Sequence, residues 1–263
     1  MTDDDARPAR SAWPVLVPVL LLAIVLVVAW RSRQTLEHAP AFTVDPSRWQ
    51  LTGRPAWMPE SVAALVAADV AAHVAGGASL LNEDDLQRLS ESVRAASPWI
   101  AGVERVEPRW PAQAELRLRL RKPVLAVEGD ILVAADGRVL GLGPVDLVPE
   151  PLAYSGRGAD ADVLECAAAA GEVLPYRGVL QDLGVHLASA SLGSDGTVVF
   201  LTDGGVELAW GRTLRRSRLA YLDLPAEARI DNLREVLTDF PHLDGVRRVQ
   251  LWTDRPVVTR RDA

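Results

Sequence analysis

The sequence predicts an α+β fold: one apolar membrane-crossing helix, a β-α-α-β-β unit, and then a mostly antiparallel β domain with flanking helices. Three observations predict it. Ser11 to Trp30 carries no charge, about the length a helix needs to cross the hydrocarbon core. Leu116, Leu118 and Leu120 alternate with Arg117, Arg119 and Arg121, the two-residue period of a half-buried strand. Apolar runs flank Asp136-Gly137 and Asp203-Gly204-Gly205, the turn chemistry of tight hairpins.

Composition narrows the function. The 263 residues are 49% hydrophobic and 24% charged, which suits one or two globular domains. A net charge of −7 argues against nucleic acid, because phosphate binding wants a basic surface. The single cysteine, Cys166, excludes an intramolecular disulfide and a CxxC metal site. Its alanine neighbours place it inside a packed helix. His38, His73, His186 and His242 are too dispersed to suggest a shared metal site. There is no GxSxG, HExxH or Walker sequence. Asp136, Asp195 and Asp203 each precede glycine, so turns explain them, and no helix follows Gly141-Leu-Gly143-Pro as a dinucleotide loop requires. No catalytic residue, metal ligand, cofactor or small-molecule substrate is expected.

In chain order, residues 1–12 form a short tail and residues 13–30 the span. Trp13 and Trp30 bracket it at the two membrane interfaces. Pro14 and Pro18 fall in the first turns, where missing N–H groups cost least. The apolar run is followed by Trp-Arg-Ser-Arg-Gln rather than a small-x-small cleavage site, so an anchor is expected, not a cleaved signal peptide. Arg7 and Arg10 precede the span and Arg31 and Arg33 follow it, a draw by charge. The tail has nothing to fold, so it is placed in the cytoplasm and the bulk outside. Residues 31–47, broken by Pro40 and Pro46, read as a linker.

The first unit spans 48–123. Arg48 to Gly53 reads as a strand, and Met58-Pro-Glu-Ser61 starts a helix with acid in its first turn. Val62, Leu65, Val66, Val70 and Val74 make its apolar stripe, with His73 beside it as a partly covered packing residue, and Gly76-Gly77 stops it. Asn82 caps a second helix, Glu83, Asp84 and Asp85 load its positive end, and Leu86, Leu89 and Val93 form its face. Pro98 ends it and Trp99-Ile100 re-enters the core. Val103 and Val106 then open a shorter strand, Trp110-Pro111 turns the chain, and the Leu/Arg strand closes a hairpin that Pro123 limits. The leucines are expected under the two helices, with Arg117, Arg119 and Arg121 facing solvent or a partner.

The second unit spans 124–258, with a tail at 259–263. Ile131–Val133 and Val139–Leu140 make a hairpin. Residues 159–174 are alanine-rich and helical, ended by Pro175. Gly184–Ala188, Thr197–Leu201 and Val206–Trp210 read as strands. Residues 225–240 are a helix with Ile230, Leu233, Leu237 and Phe240 inward, and Val246–Trp252 is a final strand followed by Pro256-Val-Val258. Arg212, Arg215, Arg216 and Arg218 form a basic cluster that reads as a solvated face or a dock for an acidic segment.

The β-α-α-β-β order resembles a POTRA domain. One span, then POTRA, then a β domain resembles the bacterial cell-division family FtsQ, called DivIB in Gram-positive species. The matching residues are Ser97-Pro-Trp-Ile100, Val103-x-x-Val106, Arg109-Trp-Pro111, the alternating strand and Lys122-Pro-Val124. Ala134-Ala-Asp-Gly-Arg-Val-Leu140 and Gly211-Arg212 with Arg218-Leu-Ala220 continue it, and the likeness covers residues 13 to 258. It implies a non-enzymatic divisome scaffold in the cytoplasmic membrane. Such a scaffold engages the small bitopic proteins FtsB and FtsL, linking them to septal cell-wall synthesis. A membrane-anchored envelope hydrolase and another envelope-assembly POTRA protein are the alternatives; the latter would need a barrel for which the remaining length is too short.

The resemblance places partner docking at the domain's far end. Val246–Trp252 is expected to present an open edge that a partner's extended segment covers. Trp252, Leu251, Thr253 and Val249 are the expected docking residues, with Leu219, Tyr221 and Arg218 as the neighbouring wall. The family has an aromatic near Thr253, whereas here the ring stands one residue earlier. A one-residue shift turns a side chain to the other face, so a core tryptophan is the competing reading.

Overall fold

A computed structural model describes residues 13–43, 50–73, 78–79, 81–109, 113–128, 130–142, 150–156, 160–213 and 224–261. Helix α1 (Trp13–Glu37) is the first described element and is exposed from Val17 to Leu36. It is long and apolar enough to cross a membrane. It does not stop at Trp30. The Arg33–Glu37 pair at 2.8 Å lies one turn apart, and nothing breaks the helix before Pro40. The expected linker therefore begins about two turns late.

The first unit is a three-stranded sheet with two helices. β1 (Gln50–Thr52) runs parallel to β3 (Gln113–Leu120), and β2 (Ile100–Arg109) lies antiparallel on β3's other side, giving the order β1-β3-β2. Helices α2 (Glu60–His73) and α3 (Glu83–Ala96) come between β1 and β2 in the chain. Val62, Val66 and Val70 of α2 and Leu89 and Val93 of α3 pack on Leu116 and Leu118. Asn82 Oδ1 accepts from Asp84 N at 3.0 Å, which caps α3 as its sequence demands. Leu65 is exposed, off the expected stripe, and so is His73, whose ring reaches the Asp69 carbonyl at 2.9 Å. Trp110-Pro111 and Gly76-Gly77 lie outside the described residues.

β2 is longer than expected, and it is bulged. Its register slips between Ile100 and Gly102 and between Val103 and Arg105, so Val103 opposes Leu118 while Val106 opposes Leu116. Three residues on β2 match two on β3, which turns both valines to the leucine side despite their odd spacing.

Arg121 departs from the alternation. Arg117 and Arg119 are exposed, but the Arg121 side chain is only 17% exposed. β3 has ended at Leu120, so the pleat no longer fixes its direction. Arg121 donates to the carbonyls of Pro98 (3.0 Å) and Ile100 and, through Nε, to Asp136 Oδ2 at 2.8 Å. Burial pushes the Asp136 carboxyl up, and the Arg121 guanidinium with the Arg138 backbone N–H outweighs it, leaving Asp136 below its ordinary range. Arg121 thus joins the first unit to the second.

The second unit is one nine-stranded sheet. Its strands are β4 (Pro123–Val127), β5 (Ile131–Ala134), β6 (Val139–Leu142), β7 (Leu152–Tyr154), β8 (Leu187–Leu192), β9 (Val198–Thr202), β10 (Glu207–Gly211), β11 (Val246–Gln250) and β12 (Val257–Arg260). Their order is β12-β11-β10-β9-β8-β7-β4-β5-β6, mostly antiparallel, with parallel steps at β11–β10, β8–β7 and β7–β4. The unit starts at Pro123, the first residue of a strand, where the missing N–H is tolerated. β5 has two buried faces. Val133 joins the core under α4 (Asp160–Val173), while Leu132 and Ala134 join the core of the first unit. Gly171 of α4 meets the β5 end closely, since a Cβ there would lie 2.6 Å from Ala135 Cβ.

Three expected boundaries move. Pro175 does not end the helical segment; a 3-10 turn at Leu174–Tyr176 leads into α5 (Arg177–Asp182). Proline fits the first turn of a new helix, which is where it sits. β8 begins at Leu187 rather than Gly184, because Gly184 and Val185 close α5 through Gly184 N to Gln181 O and Val185 N to Leu180 O. Helix α6 (Ala226–Asp239) matches expectation, with Ile230, Leu233 and Val236 buried and Leu237 and Phe240 partly so. The third move concerns the sheet edge. Residues 257–260, expected as coil and tail, form β12 along β11.

Candidate functional site

The site expected from sequence lies where β10, β11 and α6 meet. β10 ends at Gly211, whose φ of +112° suits glycine alone. A Cβ there would lie 2.7 Å from Trp252 Cβ, so glycine also makes room for the corner after β11. Leu251 N donates to Ala209 O at 2.9 Å, carrying the β10 pairing past the end of β11. From α6, buried Asn232 donates to the carbonyls of Leu251 (3.0 Å) and Thr253 (2.8 Å), and Thr253 Oγ1 donates to Arg255 O at 2.6 Å. The corner is held from two sides.

This geometry corrects the expected docking set. Val249 and Leu251 are both 0% exposed and belong to the core. β11 has no open edge, being flanked by β10 and β12. Trp252 and Thr253 are half-buried at the corner. Leu219, Tyr221 and Arg218 lie outside the described residues, as do Arg215 and Arg216. Of the basic cluster, Arg212 reaches the Asp195 carbonyl in the β8–β9 turn. The edge that the described sheet leaves open here is β12. Val257 is 49% exposed, Thr259 and Arg260 are exposed, and Arg260 lies 5.2 Å over the Phe240 ring. Arg261 secures the strand's end, its N–H donating to Gly245 O at 2.9 Å and its guanidinium to Gly204 O at 2.9 Å.

Two substitutions test these placements. Truncating buried Leu251 to alanine is expected to cost about 2–5 kcal/mol. Trp252→Ala removes a mostly covered ring and, at about 25 cal/mol per Å2 of apolar surface, is expected to cost roughly 2–4 kcal/mol. Thermal melting of the two variants checks this, and an unchanged melting temperature in Trp252→Ala would mean that the ring does not support the corner.

Beneath the end of β10 lies a polar network that sequence reading missed. Glu172 Oε2 accepts from Trp210 Nε1 (3.1 Å), Thr213 Oγ1 (3.3 Å) and Arg229 (3.4 Å), and Glu165 accepts from Thr213 N. The Arg229 guanidinium sits 5.1 Å over the Trp210 ring, and Phe200 meets that ring edge-on at 5.7 Å. Glu165 and Arg229 are buried. Glu165 and Glu172 stand seven residues apart, two turns on one face of an alanine-rich helix. That spacing was the available signal, because two carboxylates on an otherwise apolar face need partners.

The other reactive groups are placed more simply. Cys166 is buried among the α4 alanines, and burial pushes its thiol up to about 12, with Asp162 and Glu165 adding to the shift. Two of the dispersed histidines, His186 and His242, line one polar cleft of about 180 Å3 with Asp203 and Asp244. Among the described residues no group of three or more His, Cys, Asp or Glu could hold a metal ion. Compared with known proteins, the chain matches no family model and no curated sequence.

Proposed function

We propose that the chain is a non-enzymatic, membrane-anchored scaffold of the FtsQ/DivIB kind, with residues 48–123 as its POTRA domain. On this reading α1 crosses the cytoplasmic membrane once, with the amino-terminal tail inside and both folded units outside. The partners are FtsB- and FtsL-like bitopic division proteins. The observation that supports it best is the sequence of parts: one apolar helix, a β-α-α-β-β unit, and a sheet whose last strand, among the described residues, is paired on one side only.

The docking edge is β12 rather than Val246–Trp252. An extended partner segment laid along β12 pairs with its outward N–H and C=O groups and covers exposed Val257. Trp252 and Thr253, at the corner joining β11 to β12, flank that edge. The test is co-purification of bitopic partners with the full chain from native membranes. Val257→Glu puts a charge where the partner's apolar side chain would sit, and it is expected to lose the partners while melting like wild type. Partners retained by this variant would remove β12 from the interface, and an absence of bitopic proteins from both preparations would remove the scaffold reading.

A further inference from the structure

The two folded units meet beside a groove of about 360 Å3, which lies within the size range of ligand pockets. Only Arg121 and Lys122 link β3 to β4, and both line it. Its apolar lining is Val124 and Ala134 of the sheet, Ala135 of the β5–β6 turn, and Leu174 and Pro175 after α4. Val124 and Ala134 are buried whereas Ala135 and Pro175 are exposed, so this lining runs from the surface down to the core.

Three charged side chains line the groove, and two of them are satisfied. Arg121 Nε donates to Asp136 Oδ2 at 2.8 Å, and the same guanidinium donates to the carbonyls of Pro98 and Ile100. Lys122 differs. It is half-buried, and among the described residues its ammonium meets no carboxylate and no carbonyl. Asp136, which lines the groove with it, is already engaged by Arg121. A lysine stem gains from lying along apolar surface, but the charge at its tip still needs an acceptor. The groove therefore combines an apolar seat with one uncompensated positive charge.

We infer that this groove seats an apolar side chain of a partner protein, leucine or valine, and that an aspartate or glutamate next to it in the partner meets Lys122. An apolar anchor in a pocket, with a complementary charge beside it, is how protein interfaces fix position and choose partners. A free small molecule fits less well, because a site for one needs several converging polar groups to orient it. The lysine stem is flexible, so two neighbouring side chains of one short segment satisfy both requirements without any strand pairing. The site is independent of β12, since β4 stands six strands away from it in the sheet, roughly 30 Å at the usual strand spacing.

The probe is a short peptide, acetylated and amidated at its ends, in which photo-leucine is followed by glutamate between glycine and serine residues. It is irradiated with the full chain in lipid nanodiscs, and the cross-linked residues are located by mass spectrometry. The label is expected on residues 121–136 and 171–175, in about tenfold higher yield than from a counterpart with lysine in place of glutamate. Lys122→Glu is expected to reverse that preference, and Lys122→Gln, which keeps most of the stem, to abolish it in both directions. Both variants are expected to melt like wild type. Val257→Glu leaves the labelling unchanged, which keeps this test separate from the β12 proposal. A Lys122 that only complements the carboxyl end of α4 would alter melting and leave the preference intact. Equal labelling by the two peptides, labelling that falls outside the groove, or a preference that survives Lys122→Glu would each overturn the inference.

Discussion

Arg229→Ala is expected to destabilise the second unit by about 2–4 kcal/mol. Arg229 is buried, and its removal strands the Glu172 carboxylate and withdraws the cation lying on Trp210. Breaking a buried ion pair on one side costs about 3–5 kcal/mol. Glu172 retains 28% exposure and the pair stands at 3.4 Å, so water relieves part of that cost. Near 2–4 °C per kcal/mol for a unit of this size, the melting temperature falls by roughly 5–15 °C. The double change Arg229→Leu with Glu172→Leu should recover much of the loss, because a neutral apolar pair leaves no stranded charge. A fall of less than about 2 °C in Arg229→Ala would mean that the network is not a structural tie.

Leu116→Ala is expected to cost about 2–5 kcal/mol in the first unit, whereas Arg119→Ala is expected to be nearly silent in melting. Leu116 is fully buried beneath α2 and α3, at the centre of a core that also holds Trp99 and Ile100. Removing three carbons there loses their transfer energy and leaves a cavity. Arg119 points to solvent from the same strand. Equal effects would place the strand one residue out of register, since such a slip exchanges the two faces.

What could be read from the chain follows from how local each signal is. The Leu/Arg alternation, the Asn82 cap and the Asp-Gly turns act within a few residues, and the corresponding elements form where they were expected. Val103 and Val106 needed a bulge to share a face, and a bulge depends on the partner strand. Arg121 continued the period of its neighbours in sequence but not in space, because its direction is set by the Pro98 and Ile100 carbonyls and Asp136. Pro175 read as a stop because proline also starts helices. For the candidate site, Trp252 lies half-buried at the corner after β11, whereas Val249 and Leu251, expected on a docking surface, lie in the core. Their side chains face the core under α6, and the β11 edge is paired by β12, whose Val257-Val-Thr-Arg260 is too short to announce a strand without β11 beside it. The Arg229–Glu172 tie was hidden for the same reason. Each charge looks like a surface residue until the two helices that carry them converge on Trp210.

On the proposed reading β12 is the partner-binding edge. Hydrogen exchange measures it most directly, on the full chain with and without the extracytoplasmic segment of a co-purified bitopic partner. The outward amides of residues 257–260 are predicted to exchange several-fold more slowly in the complex, with no comparable change in α2 or α3. Protection that appears elsewhere while β12 exchanges at its free rate would contradict the account.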